Sequence, residues 1–141
     1  MTRTAANFVT PIQWVTPIVI AMAFILLVFL IKEPARKKFM AILIAGAGSV
    51  YWSGGFGPWE MAFGALLLIV AYNGLRSYRF IGIGWLLHTA WDIAHHLYGN
   101  PLLPFDPTSS LGCAICDPVI AMCCFAGAPT LWERAPKAAA I

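Results

Sequence analysis

Apolar residues along this chain fall in five blocks, separated by short joints rich in charge, glycine or proline. The blocks cover about 12–31, 39–53, 57–75, 80–98 and 111–131. A helix that crosses a bilayer needs roughly 20 apolar residues, so each block predicts one span. The second block is the shortest and predicts a tilted or partly re-entrant segment. The expected fold is therefore all-α, a polytopic transmembrane helical bundle of about five spans forming a single domain over 1–141. The first block reads as a span and not as a cleaved signal peptide. It is longer than the usual apolar region of such a peptide, and Ala21-Met22-Ala23 lies inside it instead of after it.

Composition strengthens this reading. The 141 residues are 60% hydrophobic and 11% charged, whereas a soluble domain carries about 25% charged residues. So few charges cannot cover a water-facing surface, which makes the lipid bilayer the first expected partner. Six Trp suit the headgroup region. The basic residues form short clusters and no stripe interleaved with aromatics, which excludes nucleic acid as an expected partner. Lys32, Arg36, Lys37 and Lys38 follow the first block, Arg76 and Arg79 the third, and Arg134 and Lys137 the fifth. With five spans these groups share one side, and the other side holds only Arg3. The positive-inside rule then places the N-terminus outside and the C-terminus in the cytoplasm, with the inner membrane of a bacterium as the expected location.

The joints on the outer side are distinctive. Ser53-Gly54-Gly55-Phe56-Gly57-Pro58 predicts a tight turn, and 99–110 holds Pro101, Pro104 and Pro107, which stiffen the backbone into a cap or connector. Ala41, Ala45 and Ser49 recur every fourth residue and predict a face for close helix packing, with Gly82 and Gly84 in the same role on the fourth helix. No internal repeat is present, so an inverted-repeat transporter architecture has no support.

The chemistry lies in the polar residues inside apolar blocks, where an ionisable side chain costs several kcal/mol. Glu60, Asp92 and Asp117, three of the six acids, and all three His fall there. His88, Asp92, His95 and His96 occupy an arc of roughly 100° on the fourth helix. Imidazole and carboxylate on one helix face suit a divalent transition metal, Zn or Fe foremost; the bland alternative is a hydrogen-bonded structural network. On the fifth helix Cys113, Cys116, Asp117, Cys123 and Cys124 span about 120°. Ser109 or Ser110 is placed to cap its start, and Pro118 frees the carbonyl of Ala114. Cys113-Ala114-Ile115-Cys116 near the helix start suits redox exchange or thiolate ligation, while Cys123 and Cys124 read as small core residues.

A rise of 1.5 Å per residue puts Asp92 and Asp117 about 9 Å below the outer ends of their helices. Glu60, His95, His96 and Cys113 lie shallower, and Tyr51 and Trp52 end the second helix near the same rim. The expectation is one site between the third, fourth and fifth helices, opening outward. Its metal ligands are His88, Asp92, His95, His96 and Asp117, and its candidate catalytic groups are Glu60, His96, Cys113 and Cys116. Imidazole protonation competes with metal, so occupancy should fall as pH drops through about 6.

The strings Trp91-Asp92-Ile93-Ala94-His95-His96 and Gly112-Cys113-Ala114-Ile115-Cys116-Asp117 resemble an uncharacterised group of small bacterial membrane proteins, domain of unknown function 6010. The resemblance covers the last four spans and implies no activity. Asp92-x-x-His95-His96 is similar to one histidine box of the membrane di-iron desaturases and hydroxylases, although those carry several such boxes and Asp92 stands where His is usual. Cys113-x-x-Cys116 resembles the motif of vitamin K epoxide reductase and the quinone-linked disulfide-forming families, whose outer-loop cysteines have no counterpart here.

Four functions follow as expectations. The first is a metal-dependent membrane enzyme acting on a lipid-soluble or periplasmic substrate. The second is a thiol–disulfide oxidoreductase exchanging electrons with a quinone through Cys113 and Cys116. The third is a metal or proton transporter, and the fourth an accessory subunit of a membrane complex. A second copy of the chain, as a homo-oligomer, completes the expected partners.

Overall fold

A computed structural model describes residues 11–51 and 55–129. Within them the chain forms five α-helices: α1 (Pro11–Val28), α2 (Ala35–Ala47), α3 (Pro58–Gly74), α4 (Tyr78–Tyr98) and α5 (Ser109–Phe125). The described residues contain no strand, only one isolated bridge between Leu103 and Asp106. Each helix falls on one of the five apolar blocks, although α1, α2, α4 and α5 begin one to four residues ahead of theirs, and α2, with 13 residues, is the shortest, as its block predicts. Arg3, Trp52, Ser53, Gly54, Arg134 and Lys137, and the end of the fifth block, lie outside the described residues.

The helix boundaries have local causes. Gly57 adopts φ +58°, a conformation open to glycine at no steric cost, and Pro58 follows as the first residue of α3. Ser77 begins α4 by accepting a hydrogen bond from the Arg79 N–H. The start of α5 differs from expectation. Ser109 and Ser110 do not cap it but accept the amides of Leu103 and Leu102, so their hydroxyls hold the preceding connection to the helix. Asp106 makes the local turn by accepting the Thr108 N–H and hydroxyl.

α4 and α5 form the most extensive pairing, α1 packs on α5, α2 pairs with α3, and α3 and α2 both lean on α4. Met40, Ile44, Leu67, Ile81, Ala121 and Cys124 are almost fully buried between them. Small residues allow the close approaches. A Cβ on Gly84 would meet Ile44 Cγ2 at 2.6 Å, and one on Gly82 would meet the Phe125 ring at 3.0 Å. The small-residue face expected on α2 is only partly used. Ala41 is buried, but Ser49 lies past the helix end and is exposed, because the face that meets the bundle follows Arg36, Met40 and Ile44. Among the described residues, α1 alone is a helix long and apolar enough to cross a membrane by itself; α5 is apolar but shorter.

The two ends of the bundle carry different polar clusters. At one end the α1–α2 and α3–α4 turns meet. Buried Arg36 reaches Glu33 at 2.9 Å and donates to the Tyr78 hydroxyl at 3.0 Å, Tyr78 also bonds Glu33, and Lys37 lies 5.2 Å from the Tyr78 ring centre. Burial pushes the Glu33 carboxyl up, but the hydrogen bonds from Tyr78 and Arg36 and the charges of Arg36 and Lys37 outweigh it and hold the group below its ordinary value. The other end gathers the chain around Gly55 and Asn100, and the residues described next.

Candidate functional site

Three of the residues singled out by the sequence converge between α4 and α5. His88 Nδ1 lies 2.8 Å from Asp117 Oδ2 and 3.0 Å from Asp92 Oδ2. All three side chains are buried, Asp92 completely. They are positioned by helical spacing. His88 and Asp92 are one turn apart on α4, and Asp117 lies on the buried stripe of α5 with Ser110, Ala114, Ala121 and Cys124.

The hydrogen-bond directions around His88 are informative. Its Nε2 lies 3.2 Å from the carbonyl oxygen of Ala47, at the end of α2. A carbonyl only accepts, so Nε2 carries the hydrogen, and a neutral ring then presents a bare Nδ1. That nitrogen faces two carboxylate oxygens, which are also acceptors. Asp92 Oδ2 has no neighbouring donor other than that nitrogen. Three lone pairs cannot converge in a buried space without a positive species among them, a proton or a cation. One ligand atom from each of His88, Asp92 and Asp117 lies within 4.8 Å of the others, a spacing that a single metal ion can bridge.

The outer oxygen of Asp92 belongs to a second layer. Tyr51, four residues past the end of α2, places its hydroxyl 2.8 Å from Asp92 Oδ1 and 2.8 Å from Ser110 Oγ. A carboxylate accepts only, so Tyr51 donates to Asp92 and receives its own hydrogen bond from Ser110, whose oxygen accepts the Leu102 N–H at 3.0 Å. The Tyr51 ring stacks on His95 with centroids 3.8 Å apart.

Glu60 and His95 form a separate pair beside this cluster. His95 Nε2 is 3.2 Å from Glu60 Oε1, and Glu60 accepts from the Trp91 indole at 3.1 Å and the Phe56 amide at 3.2 Å. Tyr51, Phe56 and Trp91 surround the His95 ring. The expected single site between three helices is thus two adjacent ones. α3 contributes to the Glu60–His95 pair, and the end of α2 takes a place in the His88 cluster that the sequence reading assigned to no residue.

His96 joins neither and is exposed. At about 100° per residue, His88, Asp92 and His95 stay within some 60° of arc, while His96 lies a further 40° round and leaves the bundle. The Asp92-x-x-His95-His96 string therefore does not present both imidazoles to one cation, as the histidine-box likeness implies. Cys113 and Cys116 also stand apart. They turn toward α1, where with Pro17, Thr16 and Leu111 they line a cavity of about 480 Å³. Cys124 is core, and Cys123 packs against it. All four thiols are free. Tyr51, which sequence reasoning placed at the rim, and Ser110, which it read only as a helix cap, are the participants it gave no part in the site. Their signal was position, since both sit at the end of the bundle where the acids cluster.

A five-helix bundle with a buried acid–imidazole cluster at one end defines the class of protein. The chain belongs to a family of unknown function (DUF6010), whose model matches residues 12–130. The match takes in α1, beyond the four segments covered by the resemblance noted above. No curated protein and no solved structure matches the chain.

Proposed function

We propose that this chain is a multi-pass membrane protein that binds one divalent transition metal, zinc or iron, at His88, Asp92 and Asp117, and that the metal serves a reaction on a lipid-soluble substrate. The observation that carries the metal is the convergence of His88 Nδ1, Asp92 Oδ2 and Asp117 Oδ2, all within 4.8 Å of one another in a buried space. Three protein ligands leave a coordination position for water or a substrate atom, the arrangement of catalytic sites. There the metal would act as a Lewis acid or lower the pKa of a bound water.

The membrane reading rests on the surface. Large apolar side chains such as Ile12, Leu27, Ile42, Ile69, Leu86 and Met122 are exposed on every helix, an arrangement suited to lipid. The basic residues of the α1–α2 and α3–α4 turns share one end and the acid–imidazole groups occupy the other, which supports a cytoplasmic and an outer face respectively. The cavity between α1 and α5 adjoins the outer end and is mostly apolar, which suits a lipid-soluble substrate.

Elemental analysis of protein purified without chelators tests the proposal. One zinc or iron per chain is expected. Asp117→Asn should abolish stoichiometric binding, and His96→Ala should leave it unchanged. Metal-free wild-type protein that also fails to take up added zinc would remove the metal reading, leaving a proton in the cluster.

A further inference from the structure

The hydrogen bonds above Asp92 run in one direction, from the connection between α4 and α5 to the candidate metal ligand. The Leu102 N–H donates to Ser110 Oγ, Ser110 to the Tyr51 hydroxyl, and Tyr51 to Asp92 Oδ1. Tyr51 and Ser110 are buried, at 3% and 0% exposure, so water does not replace these partners. The parallel Leu103 N–H to Ser109 Oγ bond at 2.9 Å fastens the next residue of the same connection. Tyr51 cannot swing freely, because its ring is held against His95, which is itself enclosed by Phe56 and Trp91. The one hydroxyl therefore has two fixed neighbours, a carboxylate below and the anchor of the 99–108 connection above.

We infer that Tyr51 is a positioning residue that couples metal occupancy of the His88–Asp92–Asp117 site to the order of the 99–108 connection covering that end of the bundle. The inference rests on the proposed metal site. An ion at Asp92 Oδ2 fixes the carboxylate plane, and Oδ1 then holds Tyr51 in the orientation that receives Ser110. Partners that orient a ligating carboxylate typically contribute about 10–100-fold to metal affinity. Coupling is reciprocal, so a cap that favours the metal is itself ordered by the metal. The cap thereby closes the outer end when the ion is bound.

The test uses the full chain in lipid nanodiscs with zinc alone as the probe. Zinc affinity is read by calorimetry and cap order by backbone hydrogen–deuterium exchange over 99–108. In the wild type, zinc should slow exchange across this segment. Tyr51→Phe keeps the ring stacked on His95 and removes only the hydroxyl. It should weaken zinc about 10–100-fold and, at saturating zinc, lose the slowing of exchange. Ser110→Ala leaves the Tyr51–Asp92 bond in place. It should bind zinc within a few-fold of wild type yet also lose the slowing, which covers the case of a poorly folded Tyr51→Phe. A merely structural Tyr51 would raise exchange with and without zinc alike. Either variant retaining the zinc-dependent protection overturns the coupling while leaving the metal site standing. Wild-type protein that binds no zinc overturns both, and calorimetry separates that outcome from the first.

Discussion

His88 shows how far one side chain can constrain a site. Its Nε2 is committed to the Ala47 carbonyl, and its Nδ1 faces two acids. The sequence reading assigned His88 and both acids to one cluster, because imidazole and carboxylate on apolar helices are costly unless they meet. It could not assign Ala47, a backbone acceptor with no side-chain signature, nor divide His95 from His88. At the opposite end, Glu33 makes a prediction of its own. Its folded-state carboxyl lies below the ordinary value, so between the two values the unfolded chain binds more protons. The stability it contributes is therefore complete above the ordinary carboxyl range near about 4.3 and is lost as pH falls through the lowered value. Glu33→Gln should flatten the acid limb of the melting temperature measured against pH between about 5 and 3, with little slope change above it. An unchanged acid limb would assign the lowered carboxyl no part in stability.

At the scale of the element, helix period decides which polar residues meet. α4 places His88, Asp92 and His95 inward and His96 outward, and α5 places Asp117 inward while Cys113 and Cys116 turn to α1. An arc of roughly 100° was wide enough to include a residue that faces away. Close helix approach is the second element-scale feature. Gly84 on α4 has no room for a methyl group, because Ile44 Cγ2 of α2 would sit 2.6 Å from it. Gly84→Ala is expected to destabilise by about 1–3 kcal/mol, the usual cost of overpacking. Combined with Ile44→Ala, which by itself opens a cavity, the loss should be less than the sum of the two, read from denaturant or thermal unfolding of the four proteins of the cycle. Strict additivity would mean that the two helices do not meet there.

For the whole molecule, the alternation of turns puts 29–34 and 75–77 at one end and 48–51, 55–57 and 99–108 at the other, as the Arg36–Tyr78 and Tyr51–Ser110 contacts require. If the bundle spans a bilayer as proposed, single cysteines introduced at Lys32 and at Phe105 in a background with Cys113, Cys116, Cys123 and Cys124 replaced by serine should label from opposite faces of sealed vesicles. Phe105, whose side chain is exposed, should react with an impermeant reagent applied from the outer face, and Lys32 only after permeabilisation. Labelling of both from one side would remove the multi-pass reading, whatever the metal content.

Five apolar blocks and their punctuation by glycine, proline and charge determined, without coordinates, that the described residues form a bundle of five helices, because helix formation and burial depend on patterns local to each block. The same local arithmetic isolated His88, Asp92 and Asp117 as residues out of place in apolar surroundings. Tertiary structure decided which of these share a space: the rotation of each helix about its axis turns His88 inward and His96 outward, and the packing brings the Ala47 carbonyl from the end of α2 and the Tyr51 hydroxyl from the turn after it. Those contacts join residues dozens of positions apart, and no periodicity within one helix encodes the angle at which it meets another.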